Sequence, residues 1–166
     1  MFSRILLAID DSPSSDIAVS FATAMARQSA ASVRVVHVNE YLVGGRGFTV
    51  ETHAEAVRHL ESAVRALRSA GIPAEGSLYL TSCFGVETRI VTAAQDWSAD
   101  VIVLGSRRRR RWFSRFGTNG MRERVIALTA LPVLTAPAPL SVDADPLAGL
   151  RELSSAPLAD FPSVSI

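Results

Sequence analysis

Asp100-Val101-Ile102-Val103-Leu104-Gly105-Ser106, followed by the arginine run Arg107 to Arg111, is the stretch from which the fold can be read. An acidic start, four apolar residues and a glycine describe a strand buried on both faces of a parallel sheet and closed by a tight turn. Open α/β sheets place ligands at the carboxyl ends of such strands. Guanidinium groups massed just beyond Gly105 point to an anionic ligand there.

Working outward, the same pattern recurs. Arg4 to Asp10 reads as a first strand, and Ser12 can cap a helix that has Pro13 at its first position. Ile17, Phe21, Ala24 and Met25 then fall at helical spacing. Ser32 to Val38 is a second, valine-rich strand, and Tyr41 to Thr49, with three glycines, is a loop. A helix is expected from Val50 to Ala70, with Val57, Leu60, Val64 and Leu67 inward and Glu61 and Arg65 as an outward i,i+4 pair. Gly71 and Pro73 stop it. A third strand covers Ala74 to Thr81, and a third helix Gly85 to Trp97 carries Val86, Ile90 and Ala94 on one face. Beyond the arginine loop, a fourth helix runs from Asn119 to Thr129 with Met121, Val125 and Leu128 inward. A short fifth strand follows from Pro132 to Ala136. Strict alternation of strand and helix predicts an α/β fold: a doubly wound, five-stranded parallel sheet of order 3-2-1-4-5, with helices on both faces.

Composition bounds the function. The chain has 166 residues, enough for one domain with a sizeable core, and 48% hydrophobic with 20% charged residues suits a soluble globular protein. Its apolar runs are too short to span a bilayer, and the N-terminus enters a strand directly, so a cytoplasmic protein without a membrane role is expected. The lone Cys83 excludes an intrachain disulfide and any cysteine-rich metal site. Net charge is only +1, yet residues 106–124 hold eight arginines against Glu123 alone. The basic charge is therefore local, and without a lysine it is all guanidinium, suited to bidentate contact with phosphate or carboxylate. From Pro137 onward the chain turns proline-rich and acidic. Residues 1–136 are accordingly expected to be the α/β domain, and 137–166 a partly ordered tail.

In order 3-2-1-4-5 the first and fourth strands are neighbours at the point where strand order reverses. Asp10 and Gly105 would then flank one crevice. The start of the fourth helix points backbone N–H groups into the same crevice and favours an anion. Asp10 could accept from a ribose or a base while the loop cradles phosphates. The simpler reading is that Asp10 serves the turn, Gly105 is a turn glycine and the arginines are solvated.

These residues resemble a known family. Arg4-Ile5-Leu6-Leu7-Ala8-Ile9-Asp10-Asp11-Ser12 is similar to the opening strand and turn of universal stress proteins, and Asp100 to Arg107 to their fourth strand. Arg122-Glu123-Arg124-Val125-Ile126 and Leu131-Pro132-Val133-Leu134 resemble their last helix and strand. The resemblance covers residues 3–136. It implies the fold above, a homodimer through the fifth strand, and a role in stress response. It also implies that the chain either binds ATP or another adenine nucleotide, with or without Mg²⁺, or is a member whose site stays empty. Nucleotide-binding members carry a loop G-x2-G-x9-G-[ST]. Gly105 matches its first glycine, and Arg108 stands at the second. Gly117-Thr118 resembles the closing pair one residue early, whereas counting back from Glu123 places Asn119 and Gly120 there. Val38 resembles the position that lines the adenine pocket. The site residues so implied are Ala8, Ile9, Asp10, Val38, Leu104, Gly105, Arg107, Arg108, Gly117, Thr118, Asn119 and Gly120. Arginine at 108 obstructs the close backbone approach that a glycine allows, but brings charge that can grip phosphates in another way.

Other chemistry is poorly supported. Trp112, Phe113 and Phe116 among arginines could stack nucleic-acid bases, but such aromatics more often pack on their own domain. His37, His53 and His59 lie on separate segments and form no metal or nucleophile set, and Ser106 lacks the glycines of a nucleophile elbow. No catalytic residue is assigned, so binding and not turnover is expected, a slow ATPase remaining compatible. Alternatively, the chain is a dimeric interaction module that has lost nucleotide binding and uses its arginine loop for an acidic partner. The acidic tail, with Asp143, Asp145, Glu152 and Asp160, could itself dock on that loop.

Overall fold

The structure, a computed structural model, describes residues 1–41, 49, 51–82, 84–105 and 120–137. The arginine loop with Arg107, Arg108, Gly117, Thr118 and Asn119 lies outside the described residues, as do Cys83 and the tail beyond Pro137.

The chain folds as β1 (Arg4–Ile9), α1 (Ser14–Ser29), β2 (Ser32–Tyr41), α2 (His53–Ser69), β3 (Ala74–Ser82), α3 (Val86–Asp96), β4 (Val101–Leu104), α4 (Met121–Leu128) and β5 (Val133–Thr135). The strands form one parallel sheet in the order β3-β2-β1-β4-β5, as expected. Side chains along β1 alternate between two cores. Ile5, Leu7 and Ile9 face the cluster under α1 and α2, while Leu6 and Ala8 face the cluster containing α3 residues and Val125 of α4. A strand buried on both sides needs apolar residues at every position, which explains why β1 and β4 read as unbroken hydrophobic runs. All four residues of β4 are buried.

Asp100, the acidic start of the decisive stretch, ties β4 to β1. Its Oδ2 accepts from the backbone N–H groups of Ser3 (2.6 Å) and Arg4 (2.8 Å), and its own N–H donates to the Arg4 carbonyl at 2.8 Å. The Ser3 bond, then the Arg4 bond, hold the Asp100 carboxyl below its ordinary value. A lowered folded-state value means that the stabilisation is present above the ordinary carboxylate range and is lost as pH falls through the lowered value. Asp100→Asn is therefore expected to flatten the acid limb of the stability curve and to leave stability near neutral pH only modestly reduced. Acid titration of the two proteins by circular dichroism checks this.

Helix boundaries differ from expectation in instructive ways. The buried stripe of α1 is Ala18, Val19, Ala22 and Ala26. Ile17, Phe21 and Met25 are only half-buried beside the core, and Ala24 is exposed. The stripe is thus rotated by one residue, about 100°, because small alanines let the helix axis approach the sheet while bulky residues fill the flanks. Ser12 does not cap α1. Pro13 holds the N-cap position without a side-chain cap, and Ser12 is captured by the stronger, charged acceptor of Asp10.

Helix α2 starts at His53, not Val50, behind a reciprocal cap. Thr52 Oγ1 accepts from the Glu55 N–H, and Glu55 Oε2 accepts from the Thr52 N–H. Leu60, Val64 and Leu67 are buried as expected, with Ala56 and Ala63, while Val57 is half-buried. Gly71 ends the helix with φ +80°, the left-handed turn glycine accepts most readily. Under α2, a Cβ added at Gly76 would come within 3.0 Å of Leu60 and Val64. Gly76→Val is expected to overpack this seam and cost about 1–3 kcal/mol in chemical denaturation.

Helix α4 is shorter than expected. Val125 is fully buried and Met121 packs against the core, but Leu128 is 50% exposed. The helix ends at Leu128. Among the described residues no helix is long and apolar enough to cross a membrane.

Candidate functional site

The candidate crevice forms where the strand order reverses, between the carboxyl ends of β1 and β4. Ala8 pairs directly with Leu104, and both side chains are buried on the α3–α4 side, while Ile9 is buried on the other side. Gly105 follows Leu104 and so stands level with Ile9. Asp10 is the next residue after Ile9, so Asp10 and Gly105 lie one residue out of register at the ends of adjacent strands. Val38 follows the pairing of His37 with Ile9 by one residue, so it stands level with Asp10 on the neighbouring strand. It is half-buried against the α3–α4 core. The structure thus brings Ala8, Ile9, Asp10, Val38, Leu104 and Gly105 together.

Asp10 is set in a serine-rich turn. Its Oδ1 accepts from the Ser12 N–H (3.0 Å) and lies within hydrogen-bond reach of the Ser12 and Ser15 hydroxyls. Ser15 Oγ also lies 2.8 Å from the Asp10 carbonyl and accepts from the Asp10 N–H at 3.0 Å. Ser12 and Ser14 hydroxyls are 2.6 Å apart. These contacts fix the carboxylate at the mouth of the crevice, so its turn-building role is real. A fixed acceptor beside a strand end is also what recognition of a ligand hydroxyl or amine requires. Ser14 and Ser15, both buried, were not singled out from sequence. Their role depends on the chain folding back onto Asp10, for which the serine pattern alone is no signal.

Gly105 faces the start of α1: a Cβ there would lie 3.6 Å from Ser14 Oγ, an ordinary contact. Packing by the described residues therefore does not demand glycine at this position. Its carbonyl accepts from Arg122 Nη2 at 3.3 Å. Arg122 thereby draws the first turn of α4 back to the end of β4, a contact 17 residues apart that no local pattern announces.

The N-terminus of α4 carries a surprise. Gly120 is its N-cap, with no side-chain cap. A Cβ on Gly120 would meet Glu123 Oε2 at 2.5 Å, so the carboxylate folds back over the helix start. An anion was expected at this end, and the protein supplies one of its own. The adjacent Arg124 pairs with buried Glu87 at 3.0 Å and joins α4 to α3.

The histidines also meet unexpectedly. His37 on β2 and His59 on α2 stack with centroids 6.2 Å apart, and both approach the Glu51 carboxylate. His53, the exposed first residue of α2, takes no part. Among the described residues no group of histidine, cysteine and acidic side chains could hold a metal ion. A groove of about 540 Å³ opens at the opposite, amino end of the sheet, beside Arg4, Glu75 and Trp97. It lies away from the strand ends at which doubly wound sheets bind ligands.

Residues 1–137 match the universal stress protein family. The chain belongs to that family. Its fold matches a universal stress protein family member from Burkholderia pseudomallei with TM-score 0.65 and 24% identity, covering 82% of this chain and 96% of that one. A universal stress protein from Archaeoglobus fulgidus matches with TM-score 0.64 and 27% identity, over 82% and 95% of the two chains. A universal stress protein from A. fulgidus solved in complex with dAMP matches with TM-score 0.61 and 29% identity, over 81% and 98%. No curated protein matches the chain. Asp10 and Gly105 directly follow the carboxyl ends of β1 and β4, where doubly wound sheets place their ligands, and Val38 stands level with Asp10 inside β2, which runs on to Tyr41.

Proposed function

We propose that this universal stress protein holds an adenine nucleotide, ATP or a close relative, in the crevice between the carboxyl ends of β1 and β4. The observation that carries the proposal is the convergence of Asp10, Val38 and Gly105 at the reversal of strand order. The relative solved with dAMP supports it. Val38 would border the base, Asp10 would accept from ribose or base, and the segment after Gly105 would hold the phosphates. Arg107, Arg108, Gly117, Thr118, Asn119 and Gly120 are the candidates for that phosphate end. Mg²⁺ would serve only as a counter-ion to the phosphates. The protein would act by binding, as a regulatory component of a stress response in the cytoplasm, and not by rapid turnover.

A homodimer through β5 accords with its place at the sheet edge. The family match ends at residue 137, which supports treating 137–166 as an appended acidic tail.

One observation favours the alternative, an interaction module without nucleotide. The Glu123 carboxylate lies over the N-terminus of α4, where a phosphate would otherwise be welcome. Denaturing the purified protein and analysing the released small molecules separates the two, together with a thermal shift on adding ATP. Nucleotide binding predicts released ATP or AMP. It also predicts, at about a hundred times Kd, a rise in Tm on the order of 5–10 °C. An empty protein whose Tm ignores ATP would support the interaction module.

A further inference from the structure

The side chain of His37 is 1% exposed, and that of Glu51 is 11% exposed. Both ring nitrogens of His37 are engaged, by groups 28 and 14 residues away. Nδ1 lies 3.2 Å from the Ile9 carbonyl, and Nε2 meets Glu51 Oε1. The carbonyl can only accept, so Nδ1 carries a proton. Facing a carboxylate oxygen, Nε2 needs one further proton between the two atoms, whichever of them owns it. The pair is therefore neutral as a unit and avoids the cost of an isolated buried charge. A second bond points the same way: Asn39 Nδ2 donates to the Glu51 carbonyl at 3.0 Å, and Asn39 is buried. His59, on α2, stacks on His37 and brings Nε2 to 4.0 Å from Glu51 Oε2, too far for a hydrogen bond.

Glu51 immediately precedes Thr52, the N-cap of α2. Ile9 immediately precedes Asp10, and His37 immediately precedes Val38. The pair thus joins three segments, two of which supply the base end of the crevice with its next residue.

We propose that His37 and Glu51 are a positioning pair that fastens the start of α2 to the carboxyl end of β1 and the middle of β2, and through Ile9 holds Asp10 level with Val38. Neither residue need touch a ligand. The effect on ligand affinity rests on the nucleotide-binding reading above, whereas the fastening itself does not.

Glutamine at position 51 can donate from its amide to an unprotonated Nε2 while Nδ1–H keeps the Ile9 carbonyl, so it preserves the bridge without the shared proton. Alanine cannot. Hydrogen exchange of the full-length protein by NMR, with ATP titration in parallel, therefore compares Glu51→Ala with Glu51→Gln. In Glu51→Ala, amides in the first turn of α2 and at Asp10 should exchange at least about tenfold faster than in the wild type, while amides of Leu6 and Val103 remain protected. The His37 ring-proton resonance assigned to the Glu51 bridge should vanish. In Glu51→Gln, exchange should stay within about threefold of the wild type. If the wild type binds ATP, Glu51→Ala should weaken it about tenfold and Glu51→Gln should restore most of the loss. Unchanged exchange in Glu51→Ala would overturn the proposal, as would equal losses in the two variants. If the wild type binds no adenine nucleotide, the functional reading fails alone, and exchange still decides whether the pair fastens the fold.

Discussion

Replacing Leu7 by alanine is expected to destabilise the protein by about 2–5 kcal/mol, the cost of emptying a fully buried leucine site. Leu7 sits at the middle of β1, itself the middle strand, with no exposed surface. It pairs laterally with Val35 of β2 and Val103 of β4 and faces the cluster beneath α1 and α2. Neighbours held on both sides by strand hydrogen bonds cannot close over the void, which places the cost towards the upper part of the range. Ile126→Ala is the contrasting control. Ile126 is 56% exposed on α4, so its loss should stay within about 0.5 kcal/mol in the monomer. Urea unfolding of both variants measures the difference, and comparable values would show that the centre of the sheet has been misplaced.

Asp10→Asn is expected to separate the two roles of Asp10. Asparagine retains one acceptor oxygen, enough to receive the Ser12 N–H and keep the turn at the start of α1. Stability should therefore fall by less than about 1 kcal/mol. The charged acceptor at the mouth of the crevice is lost, so the affinity for ATP or dAMP should fall at least about tenfold, since hydrogen bonds to charged groups contribute about 1.5–3 kcal/mol. Asp10→Ala should lose both affinity and the Ser12 and Ser15 contacts, and unfold at lower temperature. Calorimetric titration alongside thermal unfolding resolves the cases. Full affinity in Asp10→Asn would make Asp10 a turn residue and nothing more.

The fold was legible because its central strands are buried on both sides. That forces the uninterrupted runs Ile5 to Ile9 and Val101 to Leu104, and the lengths of the intervening segments suit helical crossovers. Helix faces were less legible. On α1 the eye follows Ile17, Phe21 and Met25, whereas close packing selects the alanines one residue on. The Thr52–Glu55 cap was a readable signal that periodicity overrode, and it would have placed the start of α2 correctly.

Of the candidate site, sequence pattern could supply the strand ends, because topology alone makes Asp10 and Gly105 neighbours. It could not supply the side chains that hold them. Ser15 reaches Asp10 only after the turn has formed, and Arg122 reaches Gly105 only once α4 is docked. His37 and Glu51 meet through a crossover that no periodicity encodes. Glu123 is the lone acid in a basic segment of the sequence, while its position over Gly120 makes it a competitor for the same helix end.

The central claim is that an adenine nucleotide occupies the crevice at the reversal of strand order. An amide chemical-shift titration of the full-length protein with ATP tests it most directly. Saturable shifts at Ile9, Asp10, Val38 and Gly105, with the amino-end residues Arg4, Glu75 and Trp97 unmoved, are the predicted result. Shifts confined to that amino end, or none at the four crevice amides at millimolar ATP, would contradict it.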